Sequence, residues 1–120
     1  MARHPHYWPG FPYAALARVS DVFLPMAYFS HYVRAPGDVY DYTRQVVLDI
    51  RDRTGQPDLP IHVIGGLASG TSNAAAVAFA RAATDCGVDG VSLYAYPQTT
   101  LAQWHALANA ELLGSAAASC

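Results

Sequence analysis

The chain has 120 residues, enough for one modest domain around one core. With 52% hydrophobic and 13% charged residues it is globular in composition, which excludes a disordered chain. A formal net charge of −2, without any run of like charges, argues against a surface for nucleic acid or acidic membrane.

Residues 1–12 hold Pro5, Pro9, Gly10 and Pro12 among His4, His6, Tyr7, Trp8 and Phe11. Prolines at this density forbid a helix or a central strand and predict an extended arm. The arm lacks the apolar run of a signal peptide, and no stretch of the chain is long enough to span a membrane. Ala14, Leu16 and Ala17 favour a short helix over 13–19. Residues 21–28 then read as a buried strand that passes through Pro25. The run turns polar and aromatic at Tyr28, Ser30, His31 and Tyr32. A strand that delivers side chains to the mouth of an α/β barrel has this pattern, and so has a core strand followed by an ordinary polar loop.

Asp38 is a candidate N-cap for a helix over 38–54, where Val39, Tyr42, Val46, Val47 and Ile50 recur at helical spacing. Arg51 and Arg53 suit its C-terminal dipole, and Gly55 follows as a stop. A second strand covers 61–64 and ends in Gly65-Gly66. Ser72 caps an alanine-rich helix over 73–86, with Gly87 as its stop. A third strand covers 90–96. Thr100 and Gln103 have capping-box spacing at the head of a last helix, whose apolar face carries Leu101, Trp104, Ala108 and Leu112. The two cysteines, Cys86 and Cys120, form no CxxC pair and read as a buried thiol and an incidental tail residue.

Strict alternation of helix and strand predicts right-handed βαβ crossovers and a parallel sheet. A complete eight-fold barrel takes roughly 250 residues. The expected fold is therefore α/β, with parallel βα repeats forming about the last three βα units of a (β/α)8 TIM barrel. It divides into an extended arm (1–12), a partial barrel (13–113) and a flexible tail (114–120).

Three motifs together resemble chitinase-like glycoside hydrolase barrels. DVFLPMAYFSHY (21–32) is similar to their sixth strand, where an M-x-Y pair ends with a tyrosine in the sugar-binding floor. IHVIGGLASG (61–70) resembles the seventh strand and its loop. GVSLYAYPQTTLAQW (90–104) resembles the eighth, which places an aromatic residue beneath the sugar. The resemblance implies hydrolysis of glycosidic bonds by a complete protein, often a secreted one. It matches Met26 and Tyr28 to the M-x-Y pair and Tyr94 to the eighth-strand aromatic. The chain departs from the pattern at Phe29, where such enzymes often carry an acid. Their catalytic acids lie at the end of the fourth strand, upstream of anything matched here.

Alternate strand residues share a side, so Met26 goes with Tyr28, and Ser92 with Tyr94 and Tyr96. Tyrosine suits carbohydrate because its ring covers the apolar face of a sugar while its hydroxyl bonds to it. Tyrosines in a core, with hydroxyls satisfied by backbone, fit the same spacing. The candidate substrate-binding residues are Met26, Tyr28, Ser30, His31, Tyr94 and Tyr96, with carbohydrate as the ligand. Glycoside hydrolysis needs two facing carboxyl groups. No acid of this chain is expected at the mouth with a partner, so the catalytic residues are unassigned and the chain alone is expected to be inactive. The histidines lack metal-ligand spacing, and no metal or cofactor is expected. His31 is the one histidine expected at the mouth.

A rival reading is a phosphate site. Gly65, Gly66, Ser69, Gly70, Thr71 and Ser72 precede a helix N-terminus and could supply backbone donors to an anion. A third is a non-enzymatic half-barrel, whose uncovered sheet face and open edges predict a homo-oligomer or a missing N-terminal half supplied by another chain.

Overall fold

The computed structural model describes residues 10–110 and residue 120. Two of its helices come first in the chain, α1 (Tyr13–Ala17) and α2 (Pro36–Thr54). Helix α2 begins two residues ahead of the expected cap. Pro36 stands in its first turn, where a fixed φ helps and the missing N–H costs nothing, and Asp38 lies inside that turn near the positive end of the dipole. Val39, Val46, Val47 and Ile50 are buried, as their spacing predicts, and Gly55 ends the helix in the left-handed region at φ 67°.

Strand β1 (His62–Leu67) pairs in parallel with β2 (Gly90–Tyr94), His62 lying opposite Gly90 and Ile64 opposite Ser92. Helix α3 (Asn73–Asp85) is the crossover between them. The Ser72 side chain caps it by accepting from the Ala75 N–H, and its buried alanines let it sit close to its neighbours. Helix α4 (Leu101–Ala108) follows β2 and a short 3-10 turn, Tyr96–Gln98.

The expected set of three βα units of a barrel is not what forms. Among the described residues the sheet has two strands, accompanied by four helices, so the fold is a small α/β one. Residues 21–28 make only isolated parallel bridges, Phe23 to Ile61 and Met26 to Ile64. The hydrogen bonds show why. The Phe23 N–H donates to Pro60 O, and the His62 and Ile64 N–H groups donate to Phe23 O and Pro25 O, at 2.9 to 3.0 Å. The next donor of that ladder would be the N–H of residue 25, and proline has none.

Three smaller expectations are also corrected. Strand β2 stops at Tyr94, so Tyr96 belongs to the following turn. The face of α4 that is buried carries Gln103, Ala106 and Leu107, whereas Leu101 is 72% exposed and Trp104 and Ala108 are also exposed. Gln103 turns the helix this way: its Nε2 donates to Ala68 O and Thr71 O at 2.8 and 2.7 Å, inside the protein. Finally, Cys86 and Cys120 are not free thiols; they form a disulfide. Residues 1–9 of the arm, Leu112 and residues 114–119 of the tail lie outside the described residues.

The core lies between the helices and one face of the sheet. Ile61, Val63 and Leu93 are buried there with Phe29 and Phe79, whose rings are 5.4 Å apart. Gly65 is needed at this point, since a Cβ on it would stand 2.9 Å from Phe79 and 3.0 Å from both Leu93 and Phe29. Across the helix pair, the Tyr40 hydroxyl donates to Asp85 at 2.6 Å, and Arg51 donates to Cys86 O and Gly87 O. The other face of the sheet carries Leu24, Met26, Ile64, Ser92 and Tyr94. Leu24, Met26 and Tyr94 are exposed on it.

Candidate binding site

Phe29 sets the geometry of the open face. Its ring is buried, and its N–H turns back to Ala27 O at 2.7 Å, starting the 3-10 turn Phe29–His31. Tyr28 before it and His31 after it are thereby brought to the same side. Tyr28 and His31 stack at 6.0 Å with an interplanar angle of 22°, and Tyr28 meets Tyr94 at 6.3 Å and 37°. Tyr94 is 55% exposed and Met26 67%. The structure thus brings Tyr28, His31 and Tyr94 together in one ring cluster, with Met26 on the same sheet face.

Ser30 and Tyr96 stand apart from that cluster. The Ser30 Oγ accepts from the Leu67 N–H at 3.1 Å, and Gly66 approaches so closely that a Cβ there would stand 2.7 Å from it. Ser30 is a brace between the turn and β1. Tyr96, 77% exposed, packs its ring against Trp104 at 5.9 Å. On the open face His62 and Ser92 are joined through Nε2 and Oγ at 3.1 Å. That polar pair could not be read from the sequence, because it depends on the register that sets Ile64 beside Ser92.

The residues of the rival anion loop are largely engaged with the fold. Gly65 and Gly66 allow close packing against Phe79 and Ser30. The Thr71 N–H and Oγ1 donate to Ala68 O and Leu67 O, and the Ser72 Oγ serves its own helix. Ser69 and Gly70 are exposed.

Asp85 and Asp89 hold structure. Asp89 accepts from the Ile61 N–H at 3.0 Å, and Asp85 accepts from Tyr40. That hydrogen bond, with some burial, raises the Tyr40 pKa above its ordinary value. Burial lowers the pKa of the Arg51 guanidinium, against the opposing pull of Asp89 and Asp58. Among the described residues no group of three or more His, Cys, Asp and Glu could hold a metal ion, and no helix is long and apolar enough to cross a membrane.

The chain was compared with protein-family models, curated proteins and solved structures. None matches it. The ring geometry is therefore the ground for any functional reading.

One further feature escaped the sequence. Beyond His31 the rings continue, His31 to Tyr32 at 6.5 Å and Tyr32 to Tyr42 at 5.5 Å, the last pair stacked at 21°. Tyr32 and Tyr42 line an open groove of about 620 Å³ with Val33, Arg34, Asp38, Asp41 and Gln45.

Proposed function

We propose that this chain binds carbohydrate on the open sheet face, with Tyr28 and Tyr94 as the floor. The observation that carries the reading is the Tyr28–Tyr94 pair, 6.3 Å between centroids, at the C-terminal ends of parallel backbone segments. Rings so placed, Tyr94 exposed and Tyr28 half-buried, cover the apolar face of a sugar with hydroxyls to meet its oxygens. Met26 extends the apolar surface, and His31 adds ring nitrogens at its edge. The resemblance of the segments that carry Tyr28 and Tyr94 to sugar-binding segments of chitinase-like hydrolases supports the same ligand class. The reading is one of binding; Asp85 and Asp89 are committed to the fold. Chemical-shift mapping tests it. Titration with cello- and chito-oligosaccharides is expected to move the amides of 28, 31 and 94. A flat response to the whole series at millimolar sugar would refute it.

Leu24 and Met26, exposed on the same face, favour a second reading in which copies of the chain associate through it. Sedimentation velocity at micromolar concentration would then show a dimer, and a monomer throughout would remove this reading.

A further inference from the structure

Strand register sets a nucleophile and a base together on the open sheet face. Ser92 lies opposite Ile64, and the His62 ring reaches it across the pair, Nε2 standing 3.1 Å from Ser92 Oγ. Gly90 makes this possible. It lies opposite His62, and the imidazole fills the place where a side chain would stand, so closely that a Cβ on Gly90 would overlap Nδ1. The ring is thereby seated with Nε2 beside the hydroxyl. Both residues are half-buried, while Leu24, Met26 and Tyr94 around them on that face are exposed.

A serine hydroxyl within about 2.6–3.2 Å of an imidazole nitrogen is placed to attack a carbonyl with the imidazole as its base. We propose that Ser92 and His62 are a nucleophile–base dyad that hydrolyses short acyl esters of sugar hydroxyls. The sugar part rests on the carbohydrate reading above; the dyad does not. Ser92 is two residues from Tyr94 on one side of the strand, roughly 6–7 Å along it and comparable with the width of a sugar ring. A sugar stacked on Tyr94 therefore carries an acetyl group at its edge to Ser92, with Ile64 opposite to contact the methyl. Ser92 Oγ attacks the ester carbonyl carbon as its proton passes to His62 Nε2, in the tautomer that keeps a proton on Nδ1. The bond from that carbon to the sugar oxygen breaks, and the sugar oxygen leaves with the proton from Nε2. Water then attacks the acyl-serine and gives a proton to Nε2, which returns it to Ser92 Oγ as acetic acid departs.

The test treats the full chain with a fluorophosphonate probe, which labels activated serines, and follows acetate release from an acetylated xylo-oligosaccharide. Peptide mapping is expected to find the label on Ser92, and Ser92→Ala is expected to release no acetate. His62→Gln keeps a hydrogen-bonding group beside Ser92 and removes the base, so both reactions are expected to slow by about a hundredfold or more. Circular dichroism melts establish that each variant is folded, and the parent measurements need no variant. A parent that leaves Ser92 unlabelled and frees no acetate would overturn the inference and make the pair an interstrand tie; oligosaccharide shifts at 28, 31 and 94 would still sustain the floor. Labelling of Ser92 without acetate release would overturn the sugar ester as substrate. Unchanged rates in His62→Gln would overturn His62 as the base.

Discussion

Gln103 is the side chain on which the packing of α4 depends, and Gln103→Leu tests this. Gln103 is 2% exposed. Its amide donates to Ala68 O and Thr71 O, and its Oε1 accepts from the Thr100 N–H at 2.9 Å. Leucine keeps most of the volume and removes all three bonds. Ala68 O retains the Thr71 N–H at 3.2 Å, so its share of the loss is small. Thr71 O and the Thr100 N–H lose the bonds Gln103 gave them. With about 1 kcal/mol for the lost bond at exposed Thr100 and about 1–3 for Thr71 O, buried and left unpaired, the expected cost is about 2–4 kcal/mol. An m-value near 2 kcal/mol/M in urea turns this into a midpoint about 1–2 M lower. Urea titration followed by far-UV circular dichroism measures it. Gln103→Glu sharpens the test: it keeps the acceptor but faces two carbonyls with a charge, and burial and those carbonyls raise the carboxyl's pKa, so its deficit at pH 7 is expected to shrink as pH falls, beginning above the ordinary carboxylate range. A midpoint for Gln103→Leu within 0.5 M of the parent would refute this account of the α4 orientation.

Other perturbations have equally definite outcomes. Reduction of the Cys86–Cys120 disulfide, which joins residues 34 apart, is expected to cost about 4 kcal/mol in the chain-entropy model, a Tm about 15 °C lower; an unchanged melt under dithiothreitol would contradict it. Gly65→Ala forces a methyl against Phe79, Leu93 and Phe29 and is expected to cost about 1–3 kcal/mol in chemical denaturation. The Tyr40 pKa is raised in the folded chain, so its bond to Asp85 contributes stability that is present below pH 10 and is lost as pH rises through the folded pKa. Tyr40→Phe is therefore expected to be less stable than the parent at pH 8 and to show a flatter decline above pH 10, read from thermal melts across that range.

The helices were legible because each signal for them is local. Spacing of Val39, Val46, Val47 and Ile50 set the inner face of α2, and Ser72 and Thr100 act as the caps their positions suggest. The strand expected over 21–28 failed at Pro25. Hydrophobicity cannot show which side of a strand needs a donor, and that depends on the neighbour across the ladder. The inner face of α4 was misread for a related reason: apolar Leu101 and Trp104 lost to polar Gln103, whose partners Ala68 and Thr71 lie far away in sequence. The disulfide likewise joins distant positions whose meeting no spacing rule encodes. Of the candidate residues, Tyr28, His31 and Tyr94 lie in ring contact, through a 3-10 turn that the sequence did not announce. Ser30 and Tyr96 do not join them, because close packing at Gly66 claims Ser30 and the end of β2 at Tyr94 turns Tyr96 toward Trp104.

The claim that Tyr28 and Tyr94 form a carbohydrate floor is tested most directly by removing each ring and measuring affinity for the best-binding oligosaccharide. Tyr94→Ala and Tyr28→Ala are each expected to weaken binding about tenfold or more, a loss of about 1.4 kcal/mol. Because Tyr94 is 55% exposed, its variant is expected to melt close to the parent. Oligosaccharide affinity unchanged in both variants would contradict the account.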